Sequence, residues 1–363
     1  MAIQQRNINV LVVDDSAFMR KAISMMLESD PNIKVCGLAR DGSEAIRMVA
    51  ELKPDLVTMD IEMPRMDGLT ALSNIMKENP TPVIMVSSLT TEGAKATLEA
   101  FDKGAIDFIP KQLSYVSLDI VKIKENLIDK VKYIHSRRRT LMAQYALRKR
   151  KSEVPAKPSV ARPVAPDVGR LIRREINVVA IGVSTGGPPA LQAIIPGIPK
   201  NFPSGVLVVQ HMPPMFTKSL ANRLDGLSEV KVKEAEHGEP IVAGCVYIAP
   251  GDKHLKVRKW GGNADVKLDD EPSNSLHKPS VDVLMTSVAE TYGGASLGVI
   301  LTGMGSDGAN GISHMKQKGA KVIAQDEQTS VVYGMPRAIV ERGLADKVSS
   351  LDNIARDICS YFR

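Results

Sequence analysis

The 363-residue chain reads as two doubly wound α/β domains joined by a basic connector. Two observations carry that assignment. In both halves short apolar runs alternate with stretches of helical spacing, the pattern of a parallel sheet covered on both faces. Between the halves the chain is first strongly basic and then rich in proline and alanine, a composition suited to a tether rather than to a core. The length also suits two domains better than one.

Taken in order, Asn9 to Val13 is an apolar strand and Ala17 to Leu27 has helical spacing. Val35 to Leu38 is a short strand, followed by a helix from Gly42 to Leu52. Leu56 to Met59, Val83 to Val86 and Ile106 to Ile109 are further strands, with helices Gly68 to Lys77 and Gly93 to Phe101 between them. Residues 118 to 150 carry apolar residues at helical spacing through Ile120, Ile123, Leu127, Val131 and Ile134. Ser152 to Asp167 contains Pro155, Pro158, Pro163 and Pro166 and reads as a PPII-biased linker. The second α/β pattern begins at Ile176, with parallel strands expected at Asn177–Ile181, Gly205–Val209, Ser296–Leu301 and Lys321–Ala324. His254–Val257 and Asp265–Leu268, joined through Gly261-Gly262-Asn263, read as a hairpin.

Composition limits the function. No apolar run approaches the roughly 18 residues of a membrane span, and the first residues lack the apolar core of a signal peptide. Cys36, Cys245 and Cys359 form no close pair, so neither a disulfide framework nor a zinc site is expected, and a reduced, cytoplasmic protein is. A monomer is expected. The net charge of +6 is concentrated: residues 137 to 174 hold 12 Lys/Arg against 2 Asp/Glu, and the remainder is slightly acidic. A basic connector is a weak argument for nucleic acid. A transcription factor would need a helix-turn-helix after the linker, where strands and glycine loops stand instead. No nucleic-acid partner is expected.

Polar groups recur where the strands end, the edge at which open α/β sheets build their sites. In the first half these are Asp14-Asp15, Asp60, Ser87 and Lys111. A single aspartate there could be a helix cap. Three carboxylates at one edge repel one another without a cation, and Mg²⁺ suits all-oxygen ligands. In the second half Ser184 lies in Gly182-Val183-Ser184-Thr185-Gly186-Gly187-Pro188, directly after an apolar strand. Alone, that turn fits either a nucleophile or a phosphate loop. It lacks the Lys-Ser/Thr of a P-loop and the spacing of a dinucleotide fingerprint. His211 follows another strand, and Asp307 lies in the loop after a third. Serine, histidine and aspartate delivered to one edge are the parts of a triad, in an order foreign to α/β-hydrolases.

The first constellation, over residues 6 to 125, resembles the flavodoxin-like response-regulator receiver domain. The resemblance implies Asp60 as phospho-acceptor, Asp14, Asp15 and Asp60 as Mg²⁺ ligands, Ser87 and Phe108 as switch residues and Lys111 as the phosphate-sensing cation. It departs in one place: Pro110 precedes Lys111 and Gln112 follows it, where receivers usually have proline after the lysine. Residues 126 to 175 form the connector. Residues 176 to 363 resemble the catalytic domain of the chemotaxis protein-glutamate methylesterases, through Gly182 to Pro188, Gln210-His211-Met212, Leu301 to Gly308, Ala249 to His254 and Pro279 to Asp282. This implies a phosphorylation-regulated serine esterase with Ser184 as nucleophile, His211 as base and Asp307 orienting it. Backbone N–H groups at Thr185 and Met304 would form the oxyanion hole. Methylated chemoreceptors would be the substrates, a chemotaxis histidine kinase the phosphodonor, and receptor glutamines a second target. The esterase itself needs no cofactor on this reading. His254, His277 and Lys278 flank loops that could meet substrate.

Overall fold

The computed structural model describes residues 7–111, 119–153, 176–261 and 263–362. The proline-rich stretch from 154, and Gln112, lie outside these residues.

The first half alternates strictly: β1 (Ile8–Val13), α1 (Ala17–Glu28), β2 (Ile33–Ala39), α2 (Gly42–Leu52), β3 (Leu56–Asp60), α3 (Gly68–Glu78), β4 (Val83–Ser87), α4 (Thr91–Asp102), β5 (Asp107–Pro110) and α5 (Asp119–Glu153). The strands form one parallel sheet in the order β2-β1-β3-β4-β5. β3 and β4 are buried throughout, as expected of strands covered on both faces. Side chains set the helix starts: Ser16, Asp41, Asp67 and Thr90 each accept a first-turn backbone N–H. The helix that follows β5 runs on past residue 125. Its Leu127, Val131, Ile134 and Leu141 are buried in the core cluster of the first sheet. Lys130 reaches back to Asp107 at 2.6 Å, and Arg138 to Asp55 at 2.6 Å. The apolar spacing of that helix is thus the footprint of the sheet it covers.

The second half comprises β6 (Val178–Val183), α6 (Gly187–Ile194), β7 (Gly205–Gln210), α7 (Phe216–Leu227), β8 (Lys231–Glu234), β9 (Cys245–Ile248), β10 (His254–Trp260), β11 (Asn263–Asp269), α8 (Val281–Tyr292), β12 (Ser296–Ile300), α9 (Ala309–Gln317), β13 (Lys321–Gln325), α10 (Met335–Glu341), β14 (Lys347–Ser349) and α11 (Leu351–Ser360). Seven strands make one parallel sheet, ordered β14-β13-β12-β6-β7-β9-β8. The four parallel strands read from sequence are its centre. The other three, β8, β9 and β14, are three or four residues long, too short to leave a pattern. β10 and β11 form the expected antiparallel hairpin. From β6 the chain builds first to one side, through β7, and later to the other, through β12. The carboxyl ends of β12, β6 and β7 therefore bound a topological switch point, where such sheets form crevices.

The halves share one buried cluster. It joins Leu98, Phe101 and Phe108 of the first to Ala190, Phe216 and Leu220 of the second. Phe108 stacks on Phe216 with centroids 4.7 Å apart and rings 10° from parallel. An ion pair between Asp102 and Arg223 flanks the stack. Among the described residues, no helix is long and apolar enough to cross a membrane.

Candidate active site

Ser184 directly follows β6, and its turn is tied down on both sides. Its N–H donates to the Thr302 carbonyl at 3.0 Å, and its own carbonyl accepts from Gly187 N at 2.8 Å and Gln210 Nε2 at 3.0 Å. Two glycines are required here. Gly186 has φ +74°, in the left-handed region, and a Cβ there would lie 2.5 Å from Val331 Cβ. A Cβ at Gly303 would meet Ser184 Cβ at 2.9 Å, so the loop after β12 can approach the serine only with glycine at that position.

His211 directly follows β7, its N–H bonded to the Val183 carbonyl at 3.2 Å. Its Nε2 lies 2.8 Å from Asp307 Oδ2. Its Nδ1 is buried with no hydrogen-bond partner among the described residues. Asp307 is held at the start of α8. It accepts from Ser280 Oγ at 2.9 Å, Val281 N at 2.7 Å and Asp282 N at 2.9 Å. Burial alone would push its carboxyl up; the His211 hydrogen bond and charge, with the Asp282 and Val281 N–H groups, hold it well below the usual carboxylate range. An ionised aspartate can only accept, so His211 Nε2 carries the proton and Nδ1 is the basic nitrogen.

His277 lies in this site, its ring stacked on that of His211 at 4.1 Å between centroids. Burial and the neighbouring His211 push its pKa down to about 4. His254 is fully buried and braces the same wall, accepting the Ser280 N–H at Nδ1 at 3.2 Å. Lys278 instead pairs with Asp270 at 3.3 Å on the outer side of the loop. The backbone N–H groups of Thr185 and Met304 make no hydrogen bond among the described residues. Ser280, Gln210 and Thr302 belong to motifs visible in the sequence, yet their roles are positional and emerge only from the contacts.

In the first half Asp14, Asp15 and Asp60 converge with carboxylate oxygens within 4.8 Å of one another. Lys111 Nζ lies 2.6 Å from Asp60 Oδ2 and 3.3 Å from Asp14 Oδ2, yet neither buried oxygen receives a directed hydrogen bond. Burial pushes the Asp60 carboxyl up to about 6 against the pull of Lys111. Ser87 Oγ donates to the Gly93 carbonyl at 3.1 Å. The Phe108 ring is turned inward onto Phe216.

The family model described as CheB methylesterase matches residues 179–358, and that of the response regulator receiver domain matches residues 10–120. A protein-glutamate methylesterase/protein-glutamine glutaminase from Oleidesulfovibrio alaskensis is 52% identical, with 97% of this chain and 98% of that protein covered. The chain belongs to the protein-glutamate methylesterase/protein-glutamine glutaminase family. A second member, from Pyrococcus abyssi, is 45% identical over 99% of this chain and 94% of its own length. The crystal structure of the Thermotoga maritima CheB methylesterase catalytic domain is similar at 48% identity and a TM-score of 0.50, covering 51% of this chain and 98% of that one. Family membership and the two-sheet architecture agree with the reading of the sequence.

Proposed function

We propose that this chain is a phosphorylation-regulated serine esterase that removes methyl groups from glutamate methyl esters of chemoreceptors and deamidates specific receptor glutamines. What supports this is that Ser184 and His211 directly follow the adjacent strands β6 and β7, with His211 Nε2 2.8 Å from Asp307 Oδ2, in a chain of this family. Ser184 Oγ attacks the γ-carbonyl carbon while His211 Nδ1 accepts its proton. The tetrahedral oxyanion is met by the free N–H groups of Thr185 and Met304. Collapse breaks the C–O bond, and the His211 proton goes to the departing methoxide, releasing methanol. Water, deprotonated by His211, then cleaves the acyl-enzyme to free glutamate and Ser184. With a glutamine the leaving group is ammonia and the other steps are the same. Asp307 keeps the imidazole in the tautomer this requires and stabilises its cation.

The receiver half supplies control. The acidic set fits a hard divalent cation: three carboxylate ligands converge, and of their charge only the Lys111 ammonium, paired with Asp14 and Asp60, offsets a part. Asp14, Asp15 and Asp60 would hold Mg²⁺, which when bound neutralises charge on the phosphoryl group transferred to Asp60. Lys111 would take a phosphoryl oxygen, and Ser87 would exchange its Gly93 partner for another. That exchange is coupled to the face bearing Phe108 and α4, the face docked on α7 just beyond the His211 loop. Docking there restricts a bulky receptor helix, and phosphorylation shifts the population toward the open arrangement. A histidine kinase of the chemosensory pathway is the expected phosphodonor.

The test is the full chain incubated with methylated and with amidated receptor. Release of methanol from the first and ammonia from the second is the expected result; release of neither overturns the assignment.

A further inference from the structure

We propose that Tyr133, on the helix packed against the receiver sheet, is a positioning residue for the esterase step, acting through the loop 326–335 on the two oxyanion donors. The inference rests on the roles given above to Ser184, Thr185 and Met304.

The contact between α4 and α7 is not the only one between the halves. The middle of α5 touches the loop between β13 and α10 in three ways. The Tyr333 N–H donates to Tyr133 Oη. Arg137 donates to the Glu327 carbonyl at 2.9 Å and to its carboxylate at 3.2 Å. Val331 packs against the buried cluster that contains Val131 and Ile134 of α5.

The same loop is built into the esterase site. Val332 N–H donates to Thr302 Oγ1 at 2.9 Å, and Thr302 Oγ1 donates to the Thr185 carbonyl at 2.9 Å. Gly303 N–H donates to the Val332 carbonyl at 2.9 Å, and the Gly303 carbonyl accepts from Gly334 and Met335 at 3.0 and 2.9 Å. Val331 also abuts Gly186, two residues beyond the nucleophile. One short segment therefore fixes the 303–304 peptide unit, which carries the Met304 N–H, and through Thr302 it holds the carbonyl of Thr185, the residue whose N–H is the other donor. Thr302 is its clasp, buried to 1% exposure, with its N–H held by Gln325 Oε1 at 2.8 Å. Oxyanion stabilisation depends steeply on donor placement, so a helix that anchors this segment bears on turnover as well as on access.

The experiment uses the full chain and a small ester, p-nitrophenyl acetate, whose entry does not depend on room for a receptor. Displacing a donor costs less than the 10²–10³ of deleting one, so Tyr133→Phe should lower kcat about 3- to 10-fold with KM within about twofold and an unchanged pH midpoint. Arg137→Ala, at the same contact, should lower kcat in the same direction and serves if Tyr133→Phe misfolds. Arg223→Ala, at the α4–α7 contact, should leave small-ester kcat unchanged. A Tyr133→Phe turnover equal to or above that of the parent, or an unaffected Arg137→Ala, overturns the proposal. Ser184→Ala in the same assay separates the two levels. If it abolishes turnover, a silent Tyr133→Phe sinks the positioning role alone; if turnover persists, the serine assignment falls and the proposal with it.

Discussion

At the scale of residues, the site depends on a few groups held in unusual states. Asp307 stays ionised because four donors surround it. Asp307→Asn would remove the charge and favour the wrong imidazole tautomer; kcat should fall on the order of 10³- to 10⁴-fold with little change in KM, as steady-state methanol release will show. His277 carries a different signature. Its folded pKa of about 4 lies below the ordinary histidine value of 6.5, so the unfolded chain binds this proton more readily. Stability from neutral His277 is complete above pH 6.5 and is lost as pH falls toward 4, a change of about 3 kcal/mol. His254, also shifted down by burial, titrates in the same direction. Denaturant melts of His277→Asn between pH 7 and 4 should show a shallower loss than the parent; an unchanged slope would contradict the buried, neutral state. Gly186 is a backbone case. Gly186→Ala forces a side chain into φ +74° and into Val331, and should cost about 1–3 kcal/mol by urea unfolding.

At the scale of elements, the start of α8 matters most. Ser280 both caps this helix, accepting Val283 N–H at 3.4 Å, and donates to Asp307. Ser280→Ala should therefore cost about 0.5–2 kcal/mol of stability and also lower kcat, two effects that a simple cap would not couple. This element also marks the limit of what the sequence disclosed. Ser184, His211, Asp60 and Lys111 were legible because each directly ends or follows an apolar run, and strand ends of a parallel sheet share an edge. Asp307 was legible as the acid in a glycine-rich loop. That His277 would stack on His211 was not, since the loop 270–280 has no periodicity and is placed by Lys253, Lys278 and Asp270 pairing at its base. β8 holds one apolar residue, Val232, among its four positions, and β14 has three positions, too few for a period to register. The reach of α5 to Leu141 was visible as apolar spacing, but spacing alone does not say which sheet a helix covers.

At the scale of the molecule, the two halves share a core cluster, with Asp60 ending a strand of one sheet and Ser184 directly following a strand of the other. Docking through Phe108, Phe216 and the Asp102–Arg223 pair should make receptor demethylation by the full chain rise on treatment with a small phosphodonor, and Asp60→Asn should abolish that rise while leaving basal small-ester hydrolysis intact. Equal receptor rates with and without phosphodonor would contradict coupling through this interface. The expectations about turnover depend on Ser184 performing the chemistry. The measurement that tests this most directly is methanol release from methylated receptor by the full-length Ser184→Ala variant, with folding checked by its unfolding midpoint. A loss on the order of 10⁴-fold or more is expected; a rate within about tenfold of the parent would contradict it.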